Sequence, residues 1–500
     1  MRGRKALKNT GFAIIQEVVS VLCAFILPRL ILKSFGSTYN GLTQSITQFL
    51  GTAVLLRAGI GGATRAALYK PLAGKDLRGI SAIMNATTHH LRKISVILGA
   101  SIITFACIYP LFVLDEFDWL FSFSLFLIIG FSTFAETMFG ISGLILLQAD
   151  QKLYIYSIIS IISIILNTLI SAVLISLGCS IHVVKMGSAA AFCIKPLIIN
   201  IYIKRHYQIN KTVSPDYSAI KQRWDAFFHQ LANYVMSNTD IIVLTAFVPM
   251  KEVSVYSVYN LVSNGIRRLV MNFTNGLEAG FGNMIASDEK ENARKNFEIV
   301  QTMVFLIATV VYVVSALLIL EFVSVYTKGI HDSDYIRPLF AYIMIVSQFF
   351  LCIRQPYQLI VQAAGHYRQT RRGAIIEPVI NIVISVIAVW RFGMVGVVCG
   401  TLAATVFRTV QYAVYVSKNL VPGCQYSLIR NLVISLIGAA AAIGAYRLIP
   451  LTAAVSYLGW AAHAAIALAI TIVCVMGLMT VLARRQLMLA LKKIVRVIKR

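Results

Sequence analysis

The chain has 500 residues, 58% hydrophobic and only 13% charged, with a formal net charge of +25. Soluble domains carry about 45–50% apolar and about 25% charged residues, so these proportions exclude an ordinary soluble protein. Apolar runs of about 20 residues recur along the chain, each able to cross a roughly 30 Å hydrocarbon core as a helix. Only helices or closed barrels satisfy backbone polar groups in lipid, and strict apolar–polar alternation is absent, so the expected fold is an all-α polytopic membrane protein.

Fourteen spans are predicted in chain order, near 11–33, 42–63, 94–114, 119–147, 153–177, 180–203, 227–249, 253–285, 299–326, 338–363, 373–391, 394–416, 430–449 and 452–482. The basic start MRGRKALKNTGFAII leads into an apolar run ending Leu27-Pro28-Arg29, with no small-residue cleavage site, and reads as a retained first helix. Turns such as Leu177-Gly178-Cys179 are tight. Little sequence remains for a soluble module, which excludes a fused ATPase or glycosyltransferase. The longest predicted outer loop, near 327–337, is short.

Most of the 45 basic residues fall in the N-terminus, the even-numbered loops and the tail. Examples are Arg65 and Lys70, Lys204 and Arg205, Arg371 and Arg372, and Lys492 to Arg500. Lys and Arg mark cytoplasmic loops, so both termini are expected in the cytoplasm of a multi-pass inner-membrane protein. The same asymmetry accounts for the net charge without nucleic acid. The tail is expected on the anionic inner leaflet. Eight cysteines fall singly and read as core residues, and the histidines lack zinc spacing. His89-His90 reads as a solvated loop pair, and Asn85-Ala86-Thr87 as a sequon in that same loop. Gly59 to Gly62 lack the Lys-Ser/Thr of a phosphate loop and are expected to allow close helix packing.

An internal repeat organises the chain. Leu147-Gln148-Ala149 returns 214 positions later as Val361-Gln362-Ala363, Asn167 as Asn381, and Gly178 within one residue as Gly393. Ser37 to Gly41 take the place of Glu252 to Tyr256. The expected organisation is two pseudo-symmetric six-helix lobes, 1–203 and 227–418, joined by a basic linker 204–226. Two extra helices in 419–482, without counterparts in the repeat, and a basic tail 483–500 complete it. Parallel repeats of this kind place the substrate path between them.

Four stretches carry a family resemblance: Phe25-Ile-Leu-Pro-Arg-Leu-Ile-Leu32 with Phe35-Gly36, Ala58-Gly-Ile-Gly-Gly62, Ser254-Val-Tyr-Ser-Val-Tyr259 and Ala363-Ala-Gly-His-Tyr367. Gln148-Ala149-Asp150 also fits. Over about residues 10–418 the chain resembles the polysaccharide transporter branch of the multidrug/oligosaccharidyl-lipid/polysaccharide exporter superfamily. The resemblance implies two lobes around a central cavity, alternating access, and an undecaprenyl-pyrophosphate oligosaccharide as cargo for cell-surface polysaccharide synthesis. No catalytic site and no cofactor are expected. Energy would come from substrate flux or from an H+ or Na+ gradient. The implied partners are the lipid-linked oligosaccharide, membrane lipids, and a polymerase and glycosyltransferases of the same route. A cation-coupled multidrug antiporter is the first alternative. A membrane polysaccharide polymerase or ligase is the second, and it would want a large outer loop.

A charge at mid-bilayer costs about 2.5–3.5 kcal/mol, so cations near span centres should face a wet cavity or a partner. Arg29, Arg57, Lys185, Lys195, Arg267, Arg268, Arg354 and Arg408 outnumber Glu17, Glu136, Asp240, Glu278 and Glu377. The expected cationic lining is Arg29, Arg57, Arg267 and Arg268 with Asn264 and Asn233; Arg binds phosphate through a planar fork. Arg267 and Glu278 lie three turns apart, about 16 Å along one face, whereas Arg268 lies about 100° round from Arg267. Asp240, Glu278 and Glu17 are the candidate ion-coupling groups or charge partners.

Overall fold

A computed structural model describes residues 2–54, 60–217, 238–274, 281, 290–484 and 488. Among these the secondary structure is helical, without strands. The first repeat comprises α1 (Arg2–Phe35), α2 (Ser37–Val54), α3 (Ile60–Gly74), α4 (Leu77–Ile108), α5 (Trp119–Ala135), α6 (Ile141–Ala149), α7 (Leu153–Ser176) and α8 (Ile181–His206). The second comprises α9 (Asn238–Phe247), α10 (Met250–Thr274), α11 (Lys290–Tyr326), α12 (Pro338–Ile353), α13 (Gln355–Ala363), α14 (Tyr367–Phe392) and α15 (Met394–Asn419). The additional pair is α16 (Cys424–Arg447) and α17 (Tyr457–Leu482).

Eleven described helical segments are long and apolar enough to cross a membrane, which makes this a multi-pass membrane protein. The other three predicted spans, near 42–63, 227–249 and 253–285, correspond to α2, α9 and α10, and each runs into residues outside the described set.

Several helices begin well before their apolar core. α4 was expected from residue 94 but starts at Leu77, where the Asp76 carboxylate accepts the Gly79 amide at 3.0 Å and caps the first turn. Its early part is amphipathic. Ile80, Ile83 and Met84 recur at helical spacing and pack with Leu68, Ile145, Leu146, Ile199 and Ile203. His89, His90 and Asn85 therefore lie on a helix rather than in a loop, though His89 is exposed as expected. Asn85 donates to the carbonyls of Asn210 and Val213, strapping the segment after α8 onto α4. The basic loop expected around Arg65 and Lys70 is likewise helical, as α3. Close packing does not explain Gly61 and Gly62: a Cβ would reach only the Ile145 side chain at the first and nothing at the second. Gly41 has that role instead, since a Cβ there would overlap the Met250 carbonyl oxygen.

The duplication is visible bond by bond. In the first repeat the Asp150, Gln151 and Lys152 amides donate to Leu146, Gln148 and Leu147. Shifted by 214, the Ala364, Gly365 and His366 amides donate to Ile360, Gln362 and Val361. Gln151 and Gly365 both hold positive φ, +56° and +70°. At Gly365 the residue type suits that conformation, whereas Gln151 adopts it against the usual steric penalty. The tight turns after α7 and α14 also correspond, with Gly178 at φ +74° and Gly393 at +54°.

The chain divides into two compact units, Met1–Ser254 and Val255–Arg500. In the first unit, Asn40 at the start of α2 donates to Ser254 Oγ on α10 at 2.8 Å, and the partners are 214 positions apart. Near them Ser45 and Thr245 share a 2.6 Å hydrogen bond, and Glu116 accepts the Met250 amide at 2.7 Å. In the second unit α16 and α17 dock on α11. Thr309 bonds Ser435 at 2.7 Å, His463 Nδ1 lies 3.0 Å from both Glu321 oxygens, and Trp460 Nε1 donates to the Leu318 carbonyl at 3.3 Å.

Candidate functional site

Both repeats interrupt their helix at the same place, and charge gathers there. In the first repeat a π-turn at Glu136–Gly140 separates α5 from α6. In the second, α12 stops at Ile353, and Pro356, which lacks an amide donor, opens α13. Gly140 and Arg354 are 214 positions apart.

At this break the first repeat pairs one cation with one carboxylate. Lys195 on α8 donates to Glu136 Oε1 at 2.9 Å and stands over the Tyr156 ring at 4.5 Å. Pro196, against Gly140, helps hold α8 at the π-turn. The second repeat places Arg408 of α15 in the position of Lys195, 213 residues on. Its guanidinium stacks over Tyr412 at 4.1 Å, donates to the Tyr412 hydroxyl at 2.8 Å, and also bonds Gln411 and the Thr370 carbonyl. Its Nε lies 3.5 Å from Glu377 Oε2, while Arg354 bonds Glu377 Oε1. Arg354, Glu377 and Arg408 are all less than 10% exposed. One carboxylate thus serves two guanidiniums, and Arg354 Nε has no hydrogen-bond partner.

Arg267 on α10 adds a third guanidinium. Its electrostatic neighbours are Cys352, Tyr312, Arg268 and Arg354. The Tyr312 hydroxyl and Cys352 Sγ are 3.3 Å apart. Among the described residues no carboxylate pairs with Arg267, and its neighbour Arg354 shares Glu377 with Arg408, so guanidiniums outnumber carboxylates here. Such a cluster, held in a low-dielectric interior and backed by hydroxyls, suits an anion with several oxygen acceptors.

The predicted site residues scatter. Arg267 is partly buried and Arg268 exposed, consistent with their separation around α10. Asn264, one turn before Arg268, donates to Asn260 at 3.0 Å. Arg29, beside Pro28 inside an unbroken α1, and Glu17 are partly buried, and Asp240 is buried on α9. These three belong to the first unit, whereas Arg267, Arg268 and Asn264 belong to the second. Arg57, Asn233 and Glu278 lie outside the described residues. Sequence reasoning counts Arg354, Glu377 and Arg408 among the span charges but does not bring them together as a group. The usable signal is the 213-residue offset, which pairs Arg408 with Lys195 and marks a paired cation at the same place in each half.

Outside the spans, Tyr207 after α8 donates to Asp150 at 2.6 Å, and Asp150 also meets Lys152 at 2.7 Å. Burial, followed by the Asp150 hydrogen bond, raises the Tyr207 phenol above its ordinary range and keeps it a donor.

Residues 226–387 match the MatE family. The whole fold matches a lipid II flippase, MurJ, in an inward closed conformation: TM-score 0.74, 15% identity, covering 95% of this chain and 98% of that one. It also matches an inward-facing multidrug resistance MATE family transporter of the MOP superfamily, at TM-score 0.59 and 16% identity over 80% and 95% of the two chains. The Vibrio cholerae MATE transporter VcmN in its bent form matches at 0.56 and 13%, over 84% and 97%. No curated protein matches by sequence. The fold is therefore the one these MurJ and MATE transporters share.

Proposed function

We propose that the protein is a flippase that carries a lipid-linked, undecaprenyl-pyrophosphate oligosaccharide across a bacterial inner membrane by alternating access, for cell-surface polysaccharide synthesis. The observation that supports this most is the excess of buried guanidinium in the second unit, where Arg267 has no described carboxylate partner and Arg354 shares Glu377 with Arg408. A diphosphate offers the acceptors that this cluster lacks. Both termini are cytoplasmic in this reading, because the basic loops then face the anionic leaflet. A polymerase and glycosyltransferases act before and after the transport step.

A cation-coupled multidrug antiporter is the second reading. It is favoured by the MatE match over 226–387 and by a buried carboxylate, Asp240. An enzyme acting on the same lipid is disfavoured by the brevity of the segment between α11 and α12, residues 327–337.

The test uses the full chain in proteoliposomes loaded with a fluorescent undecaprenyl-pyrophosphate oligosaccharide, read by a membrane-impermeant quencher. Losing a charge-assisted hydrogen bond costs about 1.5–3 kcal/mol, so Arg267→Ala should slow translocation roughly ten- to a hundredfold while leaving insertion intact. Unchanged flipping by the variant, or no flipping by the parent alongside proton-driven export of organic cations, would favour the antiporter.

A further inference from the structure

The outer face of the α14–α15 hairpin holds a groove that the transport reading does not use. Its volume is about 580 Å³, and its lining includes Gln369 of α14 and Phe407, Val410, Val414, Tyr415 and Lys418 of α15. Val410, Val414 and Lys418 follow one another at four-residue spacing, and all are exposed. Phe407 and Lys418 are eleven residues apart, about 16 Å along the helix. The groove therefore runs from an apolar end to a polar, cationic end. At that polar end the Tyr415 hydroxyl is held by His366 Nδ1 at 2.9 Å.

Beside this polar end, α14 presents Arg368, Arg371 and Arg372 at helical spacing, all exposed. Among the described residues, none of these three, nor Lys418, forms an ion pair. The rest of the exposed α14 face is apolar, through Ile375, Val379 and Val383 to Trp390, which is 77% exposed. Arg368 and Trp390 are 22 residues apart, about 33 Å, which matches the hydrocarbon thickness plus its edges. Trp390 thus marks one membrane interface and the arginines the other. An exposed apolar face between two such markers meets acyl chains, and unpaired cations at its end meet headgroups.

We propose that this groove binds an anionic phospholipid. Its phosphate lies against Arg368, Arg372 and Lys418, and an acyl chain runs along Phe407, Val410 and Val414. Charge complementarity selects the occupant, because a zwitterionic lipid brings its own cation to a site that already has four. The back wall of the groove includes Thr370, whose carbonyl accepts Arg408, so an occupied groove would sit directly behind the buried ion cluster.

The experiment is native mass spectrometry of the full chain in detergent, titrated with phosphatidylglycerol and separately with phosphatidylcholine of the same chain length. The expected result is one phosphatidylglycerol held at least tenfold more tightly than phosphatidylcholine. Each interfacial charge contributes roughly a fivefold factor, so Arg368→Gln with Arg372→Gln and Lys418→Gln should erase that preference. Arg391→Gln, at the opposite end of α14, should leave it intact. Equal binding of the two lipids, unchanged phosphatidylglycerol binding in the triple variant, the same loss in Arg391→Gln, or displacement by millimolar glycerol phosphate without any chain would each overturn the proposal.

Discussion

Replacing Glu377 by Gln gives the sharpest test of the electrostatic reading. The carboxylate bonds Arg354 through one oxygen and meets Arg408 at 3.5 Å through the other. All three groups are buried, with side-chain exposures of 11% for Arg354, 4% for Arg408 and 7% for Glu377. An amide of equal size leaves two guanidiniums without a counter-charge in a poorly solvated site. Removing one partner of a buried ion pair costs about 3–5 kcal/mol. For a domain of about 250 residues, 1 kcal/mol moves the melting temperature by about 2–4 °C, so the expected drop is on the order of 10 °C. The first repeat supplies the internal control. Glu136 is 35% exposed and Lys195 16%, and breaking this one-to-one pair strands one cation rather than two, so Glu136→Gln should lower the melt by about half as much. The assay is thermal unfolding of purified full-length protein in one detergent at pH 7, followed by intrinsic fluorescence. Adding Arg354→Met to Glu377→Gln should restore part of the loss, because it removes one stranded charge. Equal shifts for Glu377→Gln and Glu136→Gln, or no recovery in the double variant, would refute the claim that the second repeat stores uncompensated positive charge.

Three further outcomes follow from the packing and the backbone. Gly41→Ala should destabilise by about 1–3 kcal/mol in the same assay, because the added methyl meets the Met250 carbonyl rather than a movable side chain. Gln151→Gly should stabilise and Gly365→Ala destabilise, each by about 1 kcal/mol, since both positions hold positive φ; the opposite signs in paired melts check this. Tyr207→Phe should cost about 1 kcal/mol through the lost hydrogen bond to Asp150. With its folded pKa raised, Tyr207 contributes stability that is full below the ordinary phenol pKa and is lost as pH rises through the folded value. The wild-type and Tyr207→Phe melts should therefore converge only in strongly alkaline buffer, and convergence near neutral pH would contradict the assignment.

The amino-acid sequence determined the class of fold, because the bilayer imposes a constraint that can be read residue by residue. About twenty apolar residues must coil, and charges must collect in the loops. The 214-residue offset was legible too, since Gln148-Ala149 and Gln362-Ala363 sit at the ends of helices that terminate with the same hydrogen bonds. Helix ends at the membrane surface were not legible from hydropathy. α4 continues seventeen residues before its predicted start because a stripe from Ile80 to Met84 packs against neighbouring helices, and only three-dimensional neighbours decide whether such a stripe is covered. The same limit governs the charges. Sequence counts them and places them on helix faces, but pairing is decided between helices distant in the chain. Glu377 lies 23 residues from Arg354 and 31 from Arg408, and α12, α14 and α15 must pack before one carboxylate can serve both. Arg267 stands apart from the other arginines of this cluster only because Arg354 and Arg408 share Glu377. An ion pair is a property of distance in space, and distance along the chain does not fix it.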